Sequence, residues 1–494
     1  MDIIRAFEQE TDNTTTTENG AKAVKSTLCP LVDLFGSISA SRENLSIIDT
    51  FKFAYFKNAE TAVRILFNSR DIRGGQGERS VFKTLLVELA KLDPVLTLKL
   101  IPLVPEYGRW DDLWCLFETE LRVSVLNFAS AQLQKDLSTE NPSLLAKWMP
   151  SCNTSSKTTK NQSKLFMKYL NMKEKEYRLM LSDLRKKIDI VERKICEKNF
   201  KDIDYSKLPS RAGLVHRKTF AKFDYERYSA FVSPLCILEN KINVDTLYPY
   251  DIVKNILSTD TSNIPEIESS LFDAMWKNLP NYMEEKPFKG LVVADVSGSM
   301  FCDNMLPISV SISLAMYISE KNKGIWQNKF ITFSESPQMQ SIEGENIIQK
   351  VNNLKNADWG MNTDLIAVFD TILDAALKND IAQKDMPKKL IIVSDMQFDQ
   401  ACRSNKRTNF EQIKKKYSQK GYNLPDLIFW NVNAKSGTYP MKIDDTGTCI
   451  VSGCSPVILK SLLQDKIIDP VEVMTDTVYN ERYQPIGDVF HELG

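Results

Sequence analysis

The fold of the C-terminal half is decided by Asp295-Val-Ser297-Gly-Ser299-Met300, which follows an apolar run at residues 288–294. That run is short and nearly continuously apolar, as is typical of a strand buried on both faces of a parallel sheet. The carboxylate and the two hydroxyls stand two residues apart, so an extended segment sends all three side chains to one side. Such hard oxygen donors suit a hard divalent cation, above all Mg²⁺. The place also fits, because ligands of open α/β sheets bind beyond the carboxyl ends of the strands.

This stretch resembles the first motif, Asp-x-Ser-x-Ser, of the metal-ion-dependent adhesion site in von Willebrand factor A domains. That family also uses a threonine from a second loop and an aspartate from a third. Both occur here in the right order, because residues 359–364 precede a helical pattern and the apolar run at 389–394 ends at an aspartate. One such motif alone is weak, whereas three pieces in order are specific. The resemblance implies a Mg²⁺ or Mn²⁺ site formed by Asp295, Ser297, Ser299, Thr363 and Asp395.

The residues around these motifs alternate between strand and helix patterns. The helix patterns lie at residues 305–318, 365–377 and 410–417, and the strand patterns at 329–333, 389–395, 426–432 and 449–453. This alternation is the signature of an α/β doubly wound sheet. We therefore predict a Rossmann-like von Willebrand A domain over residues 286–494.

The N-terminal half carries a different pattern. From residue 44 to 140, apolar side chains recur at helical spacing between short breaks such as Gly74-Gly75 and Asn141-Pro142. Stacked helical hairpins of this kind form HEAT-like solenoids, although no regular repeat is visible here. We predict an all-α HEAT-like helical-repeat domain over residues 26–285. Residues 9–20 are polar and low in complexity, which predicts a disordered tail over residues 1–25.

Basic residues concentrate in the helical half. Residues 151–227 hold 20 Lys or Arg and 10 Asp or Glu, a net charge of +10, which favours a polyanionic partner. A well-solvated lysine-rich surface explains the same excess. Within residues 207–222, five basic groups occur without an acid, and a helix start there would make a phosphate site. The candidate phosphate contacts in this stretch are Arg211, Arg217, Lys218 and Lys222.

A second basic segment combines Arg70, Arg73 and Arg79 with glycines at 74, 75 and 77. Glycines allow close backbone approach, and arginines bind phosphate in fork geometry. The segment lacks the Lys-Ser/Thr of a nucleotide P-loop and follows a helix pattern, which excludes ATP binding of that kind. A flexible helix connector with charged flanks is an equally good interpretation.

Several of these motifs together resemble an uncharacterised family of DUF2828 type, which is in turn similar to the TROVE proteins, the Ro ribonucleoprotein autoantigens. The motifs are Arg70 to Arg79, Tyr107-Gly-Arg-Trp-Asp-Asp-Leu, Lys147-Trp-Met-Pro-Ser, Tyr177-Arg, Leu184-Arg, Val191-Glu and Lys207-Leu-Pro-Ser-Arg-Ala. The resemblance implies a ring of HEAT-like repeats joined to a von Willebrand A domain. In the Ro proteins the ring binds small noncoding RNAs on its rim and single-stranded ends of misfolded RNAs through its hole. RNA binding is implied through the Ro step alone.

Three functions follow from these patterns. The first is a Ro-like RNA-binding protein whose metal site recruits an acidic protein ligand. The second is a metal-dependent protein–protein scaffold without an RNA role. The third, an enzyme, is disfavoured, because the site is rich in neutral hydroxyls, lacks an evident general base, and the chain has only two histidines.

The remaining features of the sequence predict where the protein is located and whether it contacts a membrane. No apolar stretch approaches the roughly 20 residues of a membrane span, and the N-terminus lacks the features of a signal peptide. Nine scattered cysteines without a zinc spacing are expected to be reduced thiols. We expect a cytoplasmic monomer without membrane contact.

Overall fold

The computed structural model describes residues 13–38, 45–233, 242–260, 263–284, 288–333, 337–355, 364–398, 409–433, 438–463 and 467–493. The chain divides into two compact units. The first comprises residues 1–65 and 232–480, and the second comprises residues 66–231 and 481–494. The N-terminal part is rich in helix and the C-terminal part carries a six-stranded sheet. The predicted two-part arrangement, helical and then α/β, is confirmed at this level.

All the strands that the structure describes belong to the first unit. They are β1 (Thr14–Thr16), β2 (Lys22–Val24), β3 (Gly290–Ala294), β4 (Lys329–Thr332), β5 (Met339–Ser341), β6 (Lys389–Ser394), β7 (Asp426–Asn431) and β8 (Thr448–Ser452). The first two form a separate hairpin, and the others form one sheet in the order β5-β4-β3-β6-β7-β8. Neighbouring strands of that sheet are parallel except for β4 and β5. The five predicted strands of this sheet are confirmed, and the short antiparallel β5 was not predicted.

The centre of the sheet is the pair β3 and β6. After β3 the chain builds β4 and β5 on one side, and it then returns to build β6, β7 and β8 on the other side. The direction of winding therefore changes between β3 and β6, whose carboxyl ends are neighbours. Crevices at such points are where open α/β sheets bind their ligands.

The helices alternate with these strands in the C-terminal part and follow one another in the N-terminal part. The first helices are α1 (Pro30–Ser37), α2 (Ile47–Lys57), α3 (Ala59–Arg70), α4 (Ser80–Leu92), α5 (Pro94–Leu100), α6 (Val104–Tyr107), α7 (Arg122–Leu137), α8 (Leu145–Trp148), α9 (Lys157–Tyr169), α10 (Glu174–Lys187), α11 (Val191–Cys196), α12 (Ser210–Phe223) and α13 (Tyr225–Val232). The later ones are α14 (Pro249–Leu257), α15 (Glu266–Lys277), α16 (Cys302–Lys321), α17 (Ile347–Lys355), α18 (Leu365–Lys378), α19 (Asn409–Gln419), α20 (Leu459–Leu462), α21 (Pro470–Val478) and α22 (Gln484–Leu493).

Helix α16 is the core helix of the first unit. It packs against β3, β4 and β6, and every residue from 307 to 319 is buried. Its start is kinked, because Asp303, Asn304 and Met305 have φ angles of 45°, 53° and 60°. Among the described residues, Gly298–Lys321 is a helical stretch long and apolar enough to cross a membrane, by length and composition only. Because 67% of its apolar window is buried inside the protein, this is weak evidence for a span.

The N-terminal residues 13–38 belong to the α/β unit. Strands β1 and β2 pair antiparallel, and Val24 exchanges two backbone hydrogen bonds with Tyr439, at 2.9 and 2.8 Å. The prediction treats this stretch as a disordered tail, and its described part, residues 13–25, is ordered instead. The reason is that its threonines are β-branched and find strand partners, which composition alone does not reveal.

Helix α1 lies against β8 in the same unit. The Ser452 hydroxyl donates a hydrogen bond to the carbonyl of Phe35 at 2.8 Å, and the Asn431 amide donates to the carbonyl of Gly36 at 2.9 Å. A Cβ on Gly36 would approach Ile450 to 2.8 Å, so the glycine permits this close contact. The predicted boundaries at residues 25 and 285 divide the chain into consecutive domains, whereas each compact unit is formed by two separate segments of the chain.

The second unit contains helices from the end of α3 to α13, together with α22. Aromatic side chains link its parts. Phe67 packs edge-on against Phe82 and Tyr107, and Tyr107 stacks on Tyr483 near the C-terminus. The last residues of the chain are therefore part of the core of the helical unit.

Candidate metal centre

Two aspartates directly follow the two central strands of the sheet. Asp295 comes after β3 and Asp395 after β6, and these strands are adjacent and parallel, with Ala294 opposite Val393. This register brings both carboxylates to the same edge of the sheet. Asp295 is 0% exposed and Asp395 is 3% exposed.

Hydrogen bonds fix the carboxylate of Asp295 from both sides. The backbone N–H of Ser297 donates to its Oδ1 at 2.9 Å, and the hydroxyl of Ser394 donates to its Oδ2 at 2.7 Å. The hydroxyl oxygens of Ser297 and Ser299 lie 3.1 Å apart, and Ser299 hydrogen bonds to Asp395. The structure thus brings together the four predicted ligands Asp295, Ser297, Ser299 and Asp395. Ser299 is exposed, so the cluster has one side open to solvent.

The pKa values of both aspartates are raised, and the cluster lacks a compensating positive charge among the described residues. Burial raises the pKa of Asp295, and the negative charge of Asp395 adds to that effect, so that the pKa reaches about 6. Burial also raises the pKa of Asp395, against hydrogen bonds from Ser299 and from the backbone of Gln397 that lower it. Among the described residues, the groups that act most strongly on the two carboxyls include no lysine or arginine.

Two buried carboxylates next to each other without a cation are unfavourable in the charged state. A divalent cation removes that cost, and carboxylate and hydroxyl oxygens are the ligands that Mg²⁺ accepts. The donor set therefore fits Mg²⁺ or Mn²⁺. Among the described residues, no group of three or more His, Cys, Asp or Glu side chains could hold a metal ion, so the two carboxylates need the hydroxyl oxygens to complete a ligand set.

The fifth predicted ligand, Thr363, lies outside the described residues, as does the nearby stretch 356–362. The residue after it, Asp364, caps helix α18, because its side chain accepts a hydrogen bond from the backbone N–H of Ala367 at 3.0 Å. The helix that follows the predicted threonine loop is thus confirmed, and the role of Thr363 stays a prediction.

Two further residues, Ser394 and Gln397, contact the predicted ligands and were not predicted. Ser394 holds Asp295, and its hydroxyl also accepts the backbone N–H of Met396 at 3.0 Å. The backbone N–H of Gln397 donates to Oδ1 of Asp395 at 3.1 Å, and the side-chain oxygen of Gln397 accepts the backbone N–H of Glu18, on the N-terminal hairpin, at 2.8 Å. Ser394 is visible in the sequence as a polar residue ending an apolar run, whereas nothing local in residues 13–25 indicates their contact with this site.

The predicted phosphate-binding residues of the second unit fall into two groups. Arg70 is 3% exposed and Arg217 is 6% exposed, and both donate to groups inside the protein. Arg70 Nε donates to Asp112 at 2.6 Å, and Arg217 Nη1 donates to the carbonyl of Leu214 at 2.9 Å. The exposed group consists of Arg73, Arg79, Arg211, Lys218 and Lys222.

Two buried aspartates, Asp71 and Asp112, form ion pairs in and around the glycine- and arginine-rich segment 70–79. Asp112 accepts from Arg70 and from Arg79 Nε at 3.1 Å, and Lys83 Nζ lies 3.5 Å away. Burial raises the pKa of Asp112, but Arg70 and Lys83 more than offset it, so the pKa lies below its usual value. Asp71 likewise pairs with Arg482. This arrangement favours the connector interpretation of the segment.

Helix α12 presents a basic face to solvent. Arg211, Val215, Lys218 and Lys222 are exposed and follow each other at spacings of four, three and four residues, which places them on one side of the helix. Phe223, 57% exposed, lies at the end of this face.

Two family models match the chain, and both describe domains of unknown function. DUF2828 matches residues 17–106 and 152–287, and DUF7788 matches residues 289–486. The predicted resemblance to DUF2828 is confirmed over the matched residues. The chain is also similar to the uncharacterized protein L728 of Acanthamoeba polyphaga mimivirus, with 29% identity over 508 residues, which covers 94% of this chain and 86% of that protein. Neither matching model is that of the TROVE or von Willebrand A families.

Proposed function

We propose that this protein is a Mg²⁺-dependent binding protein whose α/β unit captures an acidic group of a protein partner. The observation that carries the proposal is the buried pair Asp295 and Asp395, which lies with hydroxyls beside it at the point where the winding of the sheet changes direction. In the part of the chain that the structure describes, no lysine or arginine is among the groups that act most strongly on the two carboxyls. Such a pair is costly to bury unless a cation joins it.

The proposed ligands would contribute to cation binding in two ways. Asp295 and Asp395 would supply the negative charge, and Ser297, Ser299 and Thr363 would supply neutral oxygens. A bound Mg²⁺ supplies a Lewis-acidic position for an anionic oxygen, and two carboxylates leave it able to attract a third. Ser299, the exposed residue of the cluster, marks the open side from which a partner carboxylate would enter.

A catalytic role is less well supported. Both histidines of the chain, His216 and His491, belong to the second unit, and the two buried carboxylates would themselves be ligands rather than general bases. Neutral hydroxyls held by hydrogen bonds suit binding better than proton transfer.

The finer fold assignment is part of the same proposal. The strand order and the alternation of strands with helices support a doubly wound, Rossmann-like von Willebrand A domain. The run of consecutive helices in the second unit supports HEAT-like repeats.

The metal proposal is tested by titrating the purified full chain with Mg²⁺ in a calorimeter. Asp295→Ala removes a buried anionic ligand and should abolish binding. Asp374→Ala, which removes an exposed aspartate on α18 of the same unit, should leave the affinity unchanged. Equal Mg²⁺ affinity of the wild type and Asp295→Ala would exclude the site.

A second function, RNA binding by the helical unit, is favoured by the basic face of α12. Its three cations on one side of a helix can contact successive phosphates. Contacts of this kind discriminate little among sequences and weaken steeply as salt rises. Arg70 and Arg217 are buried, so we assign the contact to the exposed residues Arg211, Lys218 and Lys222.

The test is a fluorescence anisotropy titration with a structured RNA that has a single-stranded 3′ tail, at two salt concentrations. Reversing Arg211, Lys218 and Lys222 to Glu should weaken binding by more than about tenfold, because three phosphate contacts become repulsive. The matched control reverses the exposed lysines 157, 160 and 164 of α9 to Glu, which changes the net charge equally. Equal losses in both variants would show that net charge, and not this face, governs binding.

A further inference from the structure

The second unit contains a cavity of about 710 Å³, lined by residues of α8, α10 and α11 and of the segment 151–153. This volume lies within the range of roughly 300–1,000 Å³ that is typical of small-molecule sites. Four of the motifs that carry the family resemblance, far apart in the sequence, contribute to its wall. Their lining residues are Lys147, Ser151, Tyr177, Arg178, Arg185 and Glu192.

Four cations and two carboxylates line the cavity, and both carboxylates already have partners. Lys147 Nζ lies 3.2 Å from Glu192, and Arg193 Nε lies 2.7 Å from Glu197. These two ion pairs balance each other's charges within the wall. The other two cations of the wall are the arginines at positions 178 and 185, which no carboxylate of the wall neutralises.

Arg185 is held by neutral groups alone. Its guanidinium donates to the carbonyls of Ala146 and Met149, at 2.8 and 3.0 Å, and to the hydroxyl of Ser151 at 3.2 Å. These bonds use three of its five N–H groups. In the part of the chain that the structure describes, no carboxylate is among the groups that act on this guanidinium, and burial lowers its pKa. A half-buried charge without a counter-ion is unfavourable, and an anion in the cavity would remove that cost.

Arg178 lies on the same face of α10, because seven residues, or two helical turns, separate it from Arg185. Its ion pair with Glu174, which is outside the wall, has an N–O distance of 3.9 Å, and both side chains are more than half exposed. Such a contact neutralises little charge. Between the two arginines the wall is partly apolar, with the buried side chains of Tyr177 and Leu181.

We propose that this cavity binds a phosphate monoester of about nucleotide size. The two arginines without a wall partner match the charge of about −1.5 to −2 that a phosphate monoester carries near pH 7. Guanidinium groups also bind phosphate oxygens in fork geometry. Leu181, Ile190 and the ring of Tyr177 provide apolar contacts for the organic part of the ligand. This site lies in the second unit and does not depend on the metal centre of the first.

The test uses the purified full chain in EDTA, with AMP as the probe and adenosine as the control that lacks the phosphate. Cys196 is exposed and lines the cavity, whereas Cys302 is exposed in the first unit. Saturating AMP should therefore slow the alkylation of Cys196 by iodoacetamide severalfold and leave that of Cys302 unchanged. Peptide mass spectrometry measures both rates. Adenosine at the same concentration should protect neither cysteine.

Calorimetry with AMP then tests the arginine contact. Arg178→Gln should weaken the affinity about tenfold, because the variant loses a charge-assisted contact to the phosphate. The matched control is Lys186→Gln, which removes an exposed cation of the same helix whose ion pair with Asp183, at 3.6 Å, is similarly weak. Because Lys186 does not line the cavity, this variant should bind AMP as the wild type does.

Three results would overturn the proposal. If AMP neither protects Cys196 nor gives a binding isotherm at millimolar concentration, the cavity is not a phosphate monoester site. Equal protection by AMP and adenosine would exclude recognition of the phosphate. Equal AMP affinities of Arg178→Gln and Lys186→Gln would exclude the arginine contact on which the proposal depends.

Discussion

Two buried aspartates in this protein, Asp112 in the second unit and Asp295 in the first, are both 0% exposed and have opposite surroundings. Asp112 receives Arg70 at 2.6 Å and Arg79 at 3.1 Å, and its pKa lies below the usual value. Asp295 receives an N–H and a hydroxyl, the charge that acts on it most is that of Asp395, and its pKa is raised. The comparison separates a carboxylate that arginines of the protein neutralise from one that, in the proposed function, a bound cation neutralises.

The largest expected effect comes from removing Asp112, the carboxylate that the protein itself neutralises. Asp112→Ala should lower the free energy of unfolding by about 3–5 kcal/mol, because Arg70 stays buried after losing its carboxylate. Urea unfolding followed by circular dichroism measures this, with Asp374→Ala as an exposed control that should change stability by less than about 0.5 kcal/mol. A loss below about 1 kcal/mol would mean that the Arg70–Asp112 ion pair does not stabilise the unit.

The second prediction concerns Asp295 without metal. At pH 7.5 in EDTA, Asp295→Asn should raise the free energy of unfolding by about 2–3 kcal/mol, because the variant removes a charge whose pKa burial and Asp395 raise from 3.8 to about 6. In excess Mg²⁺ the order should reverse, since the wild type alone gains the metal. A variant that is less stable than the wild type in both conditions would assign Asp295 a structural role like that of Asp112.

The third prediction follows from the sign of the same pKa shifts. Because the folded-state pKa values of Asp295 and Asp395 are raised, the folded protein holds protons that the unfolded chain releases. The contribution of Asp295 to metal-free stability is therefore present below its unfolded value of 3.8 and is lost as the pH rises through its folded pKa of about 6, and the raised pKa of Asp395 acts in the same direction. Mg²⁺ competes with these protons, so the Mg²⁺-induced increase in melting temperature should be larger at pH 7.5 than at pH 5. An increase that is equal at both values would contradict cation binding by these carboxyls.

The smallest expected effect comes from a comparison of Arg70 and Arg79, the two arginines that contact Asp112 in the second unit. The side chain of Arg79 is 43% exposed, whereas that of Arg70 is 3% exposed, although both reach Asp112. Arg79→Ala should therefore cost less than about 1 kcal/mol, as exposed ion pairs do. Arg70→Ala should cost several times more, because it leaves Asp112 with only its partly exposed partners. Similar losses in the two variants would show that burial does not set their difference.

The parts of the structure that depend on local sequence were predictable. The apolar runs before Asp295 and Asp395 specify β3 and β6, and their order along the chain places both aspartates at one edge of a parallel sheet. Even the inward position of Arg217 has a local signal, because Leu214 and Phe220 lie three residues to either side and both are buried. Counting that periodicity in residues 207–222 separates Arg217 from Arg211, Lys218 and Lys222.

The parts that depend on distant contacts were not predictable. Residues 13–25 were predicted as a disordered tail because the contacts that attach them to the unit, Thr17 with Phe398 and Val24 with Tyr439, join residues about 380 to 420 positions apart in the sequence. The ion pair between Asp71 and Arg482, a residue just before the last helix, is likewise formed between positions far apart in the sequence. Composition and periodicity carry no information about such pairings.

The most direct test of the account is a crystal structure of the full chain grown with Mn²⁺, analysed by anomalous scattering. The account predicts a strong anomalous peak beyond the carboxyl ends of β3 and β6, among the oxygens of Asp295, Ser297, Ser299 and Asp395. An ordered site without a peak, at a Mn²⁺ concentration well above the calorimetric requirement, would contradict it.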